Sequence, residues 1–161
     1  MLRVITWSVS RISLDGAGMP PIKTFKVFGE PVDVLVNAAT SNGVSAVTIQ
    51  HVPPGGGPPP HSHVHEDETF YSLEGDFEFL HEGEWHPLGV GETVFGPRGS
   101  IHTFRNAGKT IGRILVFITP AGFEDYLEEI SFYSPATDMP KILEISKRFG
   151  VTFYPDPSVC G

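Results

Sequence analysis

Cysteine is nearly missing from this chain: its one copy, Cys160, sits one residue from the C-terminus of a 161-residue sequence. No intrachain disulfide can form, which fits a reducing, cytoplasmic compartment. Basic residues are also scarce, with 11 Lys and Arg against 19 Asp and Glu and a formal net charge of −8. Nucleic acid needs a basic face for its phosphates, so that class of partner is excluded. No apolar run approaches the length of a bilayer crossing, which excludes a membrane partner on the same footing. The first 18 residues lack the long apolar centre and small-residue cleavage site of a signal peptide. They are expected to form a flexible extension, with Met19 opening a natural start at MPPIKTF. The alternative is a first strand reaching a partner subunit, since VITWSV has strand composition.

What the chain does have is 40% hydrophobic and 11% aromatic residues, the composition of a globular protein. Its length suits one domain, expected over residues 19–161. Two blocks between Gly55 and Asn106 mix metal-binding side chains with turn-forming glycine and proline. The first runs Gly55, five residues, His61-x-His63, four residues, Glu68, six residues, Gly75. The second runs Gly91, five residues, Pro97-x-Gly99, two residues, His102, three residues, Asn106.

That spacing carries chemistry. Residues two apart on a strand point to the same face, so His61 and His63 can share one ion. Neutral imidazoles suit Fe, Ni, Cu or Zn, and Glu68 adds an anionic oxygen. His102 arrives from a second hairpin. Four protein ligands leave coordination positions open on a metal that prefers five or six, which is the mark of a catalytic rather than a structural site. The expected cofactor is one divalent transition metal: Fe, Mn, Ni, Co, Cu or Zn. His65, two beyond His63, could replace a ligand or stand behind one. His51, His81 and His86 lack partners at ligand spacing and read as surface or turn residues, and Glu66 and Asp67 as a solvated acidic edge.

Both blocks resemble the two motifs of the cupin superfamily at all ten fixed positions. PPHSHVHEDETFYSLEG, with TPAGFEDYLEE further on, is most similar to single-domain quercetin 2,3-dioxygenase-like cupins. The resemblance implies an all-β fold: a small antiparallel cupin β-barrel, of the jelly-roll or double-stranded β-helix type. It implies one divalent metal held by His61, His63, Glu68 and His102. It says little of the substrate, because one barrel hosts many chemistries.

Alternation along the chain sets further expectations. Strands begin at Lys23, and Asn42-Gly43 is a two-residue hairpin signal. Glu68, Phe70 and Ser72 share one strand face, so Phe70 and Ser72 should line the cavity, joined by Phe104 beside His102. Tyr71 and Leu73 then face outward, against a helix or a second subunit, which suggests a homodimer. Asn106 should hold its own turn. Ile111 to Thr119 reads as a strand buried on both faces, closing a barrel over about residues 23–119. Two C-terminal helices follow within about residues 122–149. The first carries the stripe Phe123, Tyr126, Leu127 and Ile130, and the second runs from about Pro140 to Phe149. The tail from Val151 should be extended and only partly packed.

Functionally, the metal site with its apolar neighbours and the resemblance together imply a metal-dependent dioxygenase acting on a small aromatic or enolic, flavonol-like substrate, with Glu68 as the base. The alternatives are a non-redox isomerase, cyclase or lyase on the same site, and a small-molecule-binding module without turnover.

Overall fold

Two adjacent residues with positive φ, Phe28 at 52° and Gly29 at 93°, turn the chain back on itself near its start. Their conformation matches the right-handed twist of the strands they join, β1 (Lys23–Val27) and β2 (Glu30–Val36). The computed structural model describes residues 20–155. The expected N-terminal extension, its strand alternative and Cys160 lie outside that range.

The two-residue hairpin is therefore here and not at Asn42-Gly43. After β2 the chain makes one helical turn, α1 (Ala38–Ser41), opened by a reciprocal Asn37–Thr40 capping box. Asn42 ends it in the left-handed conformation, a role usually filled by Gly and sometimes by Asn. Then come β3 (Ala46–Val52), the proline-rich loop, β4 (His61–His63), β5 (Asp67–Glu74) and β6 (Phe77–His81). β7 (Glu84–Leu88), β8 (Thr93–Gly96), β9 (His102–Asn106) and β10 (Gly112–Thr119) complete the run.

These strands form two antiparallel sheets, ordered β1-β2-β3-β10-β5-β8 and β11-β4-β9-β6-β7, where β11 is Val151–Phe153. From β3 onward the chain crosses repeatedly from one sheet to the other, which is jelly-roll topology. The expected barrel is not closed by a continuous ladder. The two sheets face each other, and their inner faces meet in a core built around Phe70, Phe77, Phe79, Phe104, Ile114 and Val116.

β10 corrects the expectation of a strand buried on both faces. Ile114, Val116 and Ile118 are fully buried, while Phe117 on the other face is 42% exposed. On the outside of the six-stranded sheet Phe95, Phe117 and Tyr71 all stay exposed. Register places Val36, Val47, Phe117, Thr69 and Phe95 in one row across that outer face.

α2 (Phe123–Ile130) buries the expected stripe of Phe123, Tyr126, Leu127 and Ile130. Glu124, in the first turn of α2, is itself buried and accepts hydrogen bonds from the Ala38 and Gly122 amides at 2.7 and 2.8 Å. α3 (Pro135–Arg148) starts earlier than expected but breaks at Asp138, so Pro140 falls in the first turn of its second part. The Tyr126 hydroxyl meets Ser146 Oγ at 2.9 Å and ties α2 to α3. β11 is more than a loosely packed tail: it pairs with β4 residue for residue, and Val151 is buried.

Candidate metal centre

His61, Ser62 and His63 are all buried on the three-residue strand β4, held between β9 on one side and β11 on the other. His61 stands directly opposite His102 in the β4–β9 pair. Glu68 comes from the facing sheet, on the inner side of β5 beside Gly96 of β8. Two sheets therefore deliver four ligand-type side chains to one point. One ligand atom from each of His61, His63, Glu68 and His102 lies within 4.8 Å of all the others, and all four residues are buried.

The protons decide what this cluster can hold. A neutral imidazole carries one N–H, and its other nitrogen offers a lone pair. His61 Nδ1 lies 2.8 Å from the Pro59 carbonyl, and His102 Nδ1 lies 3.2 Å from that of Ser100. A carbonyl only accepts, so both contacts put the proton on Nδ1 and leave the Nε2 lone pair free. Yet His102 Nε2 is 2.9 Å and His63 Nε2 is 3.2 Å from Glu68 Oε2. Lone pairs facing a carboxylate repel unless a cation or a proton stands between them. The donor set fits a divalent metal.

The ionisation of the cluster agrees. Burial, and then the neighbouring His63 and His102, lower the His61 pKa to about 3, so this ring is neutral at neutral pH. Burial alone would raise the Glu68 pKa, but the positive charge of His63 and the His102 and His63 ring nitrogens close to its oxygen hold it well below the usual carboxylate range. For His63 burial works against the proton, and the Glu68 carboxylate outweighs it, raising the pKa. Aromatic rings enclose the group: Phe123 meets His63 edge-on at 4.5 Å, and Phe79 stacks on His102 at 5.9 Å.

Backbone contacts fix the parts. Asp67 accepts from the Arg98 amide at 2.8 Å and from its guanidinium at 2.7 Å, joining β5 to the corner between β8 and β9. The proline-rich loop lies along β9, with Gly55 N donating to the Asn106 carbonyl and Asn106 N to that of Gly56, at 2.8 and 3.0 Å. Gly57, at φ 136°, sits so close that a Cβ there would stand 2.1 Å from the Phe104 carbonyl oxygen. Asn106 holds its turn, as expected, through Gly108 N, and its amide also donates to the Val52 and Thr110 carbonyls.

A cavity of about 70 Å³ opens from the cluster between the sheets. His61 and Glu68 form its polar floor, and Phe70 and Phe104 line it. Ser72 is fully buried on the same sheet face but does not reach the cavity. The sequence reading missed the cover, in which Phe123, Tyr126 and Leu127 of α2 face Val151 and Phe153 of β11. It also missed Glu30 and Gln50. Gln50 pairs with Val32 and Ile114, both buried, so it points inward, and its amide makes no side-chain hydrogen bond among the described residues. Glu30 accepts from Gly57 N at 3.0 Å; burial raises its pKa and that amide pulls the other way. The period of two in β3 marks Gln50 as facing with Ala46 and Thr48, but with apolar residues on both faces it could not say which face was inside.

Glu66 corrects the reading of a solvated acidic edge: it is only 7% exposed, although Asp67 beside it reaches solvent and pairs with Arg98. His65 is exposed and outside the cluster, because β4 ends at His63 and the period of two ends with it. His51 pairs with Asp33 at 2.8 Å on the outer side, and His81 and His86 are exposed.

Residues 48–118 match the Cupin domain family. The chain has a cupin fold. The match and the architecture support the cupin superfamily, while the quercetin dioxygenase-like subtype has no specific support from them. The chain is 36% identical over 58 residues to an uncharacterized protein of Aquifex aeolicus, taking in 36% of the chain and 48% of that relative. It spans about half the length of the curated relatives it matches. Among solved structures it is similar to a predicted oxalate decarboxylase of Thermotoga maritima, with TM-score 0.53 and 27% identity over 56% of this chain and 80% of that one. It is also similar to the polyketide cyclase RemF of Streptomyces resistomycificus, with TM-score 0.55 and 24% identity over 70% of this chain and 80% of that one. The second likeness speaks for the fold alone.

Proposed function

We propose that this cupin is a metal-dependent enzyme that ionises a small enolic or aromatic molecule and, in its primary reading, cleaves it with dioxygen. The observation that carries the proposal is the convergence of three buried imidazoles and one carboxylate on the floor of an otherwise mainly apolar cavity. A divalent ion bound there would supply a Lewis acid for the substrate's oxyanion and, if redox-active, a means of engaging dioxygen. The remaining work belongs to the chain. Glu68, ionised at neutral pH, takes the substrate's hydroxyl proton on a carboxylate oxygen. Phe70 and Phe104 pack against the substrate's ring, and α2 keeps bulk water away. Gln50 and Glu30 meet hydrogen-bonding groups at the substrate's far end. The partners are thus a small molecule and, through the outer face of the six-stranded sheet, a second copy of the chain.

A non-redox reading keeps the same site and drops the oxygen: ion and Glu68 together stabilise an enolate for isomerisation, cyclisation or loss of carbon dioxide. The likeness to a predicted oxalate decarboxylase favours it. Apoprotein reconstituted separately with Fe, Mn, Co, Ni, Cu and Zn, then offered flavonols and other enols in an oxygen electrode, separates the two. Oxygen uptake that depends on metal supports the dioxygenase. Product formed equally under nitrogen supports the second reading, and no turnover with any metal removes both.

A further inference from the structure

The three histidines of the centre are not held alike. His61 and His102 each have Nδ1 against a backbone carbonyl, which fixes the ring and leaves Nε2 for the ion. His63 has no such carbonyl: its Nδ1 is buried and without a hydrogen-bond partner. The atom facing it is Glu66 Oε2, 3.7 Å away and likewise buried without a partner. An unpartnered buried carboxylate oxygen is costly, and so is an unpartnered imidazole N–H. Here two such atoms face each other, less than an ångström beyond the length of a charge-assisted hydrogen bond.

We infer that Glu66 is the positioning residue of the centre, accepting the Nδ1–H of His63 so that Nε2 is presented to the metal. The inference rests on the metal-dependent reading above. A small rotation about the Glu66 side chain closes the gap, and metal uptake drives it, because a ring bound through Nε2 must carry its proton on Nδ1. A carboxylate in place of a carbonyl makes His63 the most basic of the three nitrogen donors. It also sets a second negative charge beside a divalent ion already bound by Glu68. His63 and Glu66 are three residues apart, joined by the bend through Val64 and His65 that leads β4 into β5. The bend thus aims a carboxylate at the ring that the preceding strand supplies.

The test uses the full chain with Zn(II) and Co(II). Affinity is measured by competition with a chromophoric chelator for wild type, Glu66→Gln, Glu66→Ala and the exposed control Glu82→Gln. Long-range ¹H–¹⁵N spectra of the zinc-loaded proteins report the histidine nitrogens. Glu66→Ala should lose about 10–100-fold in affinity, the cost of removing such a partner, and Glu66→Gln, which keeps an acceptor, should lose less. The Nδ1–H signal of His63 should move in both variants while those of His61 and His102 stay. Equal affinity and an unmoved His63 signal in a folded Glu66→Ala protein overturn the inference and leave the metal centre standing. A wild-type protein that takes up no metal overturns the centre itself, and the inference falls with it. If Glu66→Ala fails to fold, the Glu66→Gln spectrum decides the matter alone.

Discussion

A neutral imidazole has one proton to place, and at His61 and His102 the backbone has already claimed it. What remains at the centre is a set of lone pairs around Glu68, which a cation satisfies and an apolar replacement would not. Glu68→Ala or His102→Ala should abolish stoichiometric binding, read as metal per chain by elemental analysis after dialysis. Protons compete for the same lone pairs. Glu68 raises the pKa of His63, so in the metal-free protein this ring holds its proton at and above its ordinary titration range. Metal must displace that proton, so affinity should rise with pH through the His63 titration. Calorimetry at neutral pH in buffers of different ionisation enthalpy should show proton release on binding; a heat independent of buffer would contradict it. At Gly57 the constraint is steric. Gly57→Ala would place a Cβ against the Phe104 carbonyl at a positive φ, so a loss of at least about 2 kcal/mol in chemical denaturation is expected. The ligands were legible in the sequence because they act through fixed local spacing, whereas Gly57 stands at none of the motif positions. Glu66, Gln50 and Glu30 were not legible, because their roles depend on which groups from distant strands surround them.

At the level of elements, the centre depends on a strand too short to stand alone. β4 has three residues and meets β9 at one register pair, so β11, arriving from the far end of the chain, supplies its other edge. Residues 151–153 carry no strand signal of their own, because three residues show no periodicity and their pairing spans about 90 positions of chain. The same limit misplaced the first hairpin: Asn42-Gly43 has the right composition, but Phe28-Gly29 takes the turn because the register of β1 on β2 requires it. The helices fared better, since a 3.6-residue stripe is local information. Truncation after Gly150 removes β11 and uncovers the edge of β4. The protein should keep its two sheets by circular dichroism yet bind metal more weakly, and unchanged affinity would show that β9 and the proline-rich loop hold β4 unaided. Tyr126→Phe, which cuts the α2–α3 hydrogen bond to Ser146, should cost about 1 kcal/mol in urea denaturation.

On the scale of the whole molecule, the question is where an acidic protein can meet its own copy. A net charge of −8 opposes association of two copies wherever their carboxylates face each other. The outer face of the six-stranded sheet escapes this. Its row Val36, Val47, Phe117, Thr69, Phe95 contains no charged side chain, and the neighbouring row Asp33, Ile49, Leu115, Tyr71, Thr93 has one, at its β2 end. Phe95, Phe117 and Tyr71 are 56%, 42% and 38% exposed there, large apolar groups that stay wet in a monomer. Charge sits at the ends of the patch, in Asp33 paired with His51 on β2 and β3, in the Arg113–Glu74 pair on one side and in the Arg98–Asp67 pair on the other. A two-fold axis through this face would stack aromatic rows on each other and set positive and negative ends at the rim, the arrangement an isologous interface needs. Phe95→Asp with Phe117→Asp should therefore convert a dimer to a monomer in sedimentation velocity at micromolar protein. Because the side chains point away from the cavity, metal content should not change. A wild type that sediments as a monomer at the highest concentration tested would remove the second copy from the list of partners.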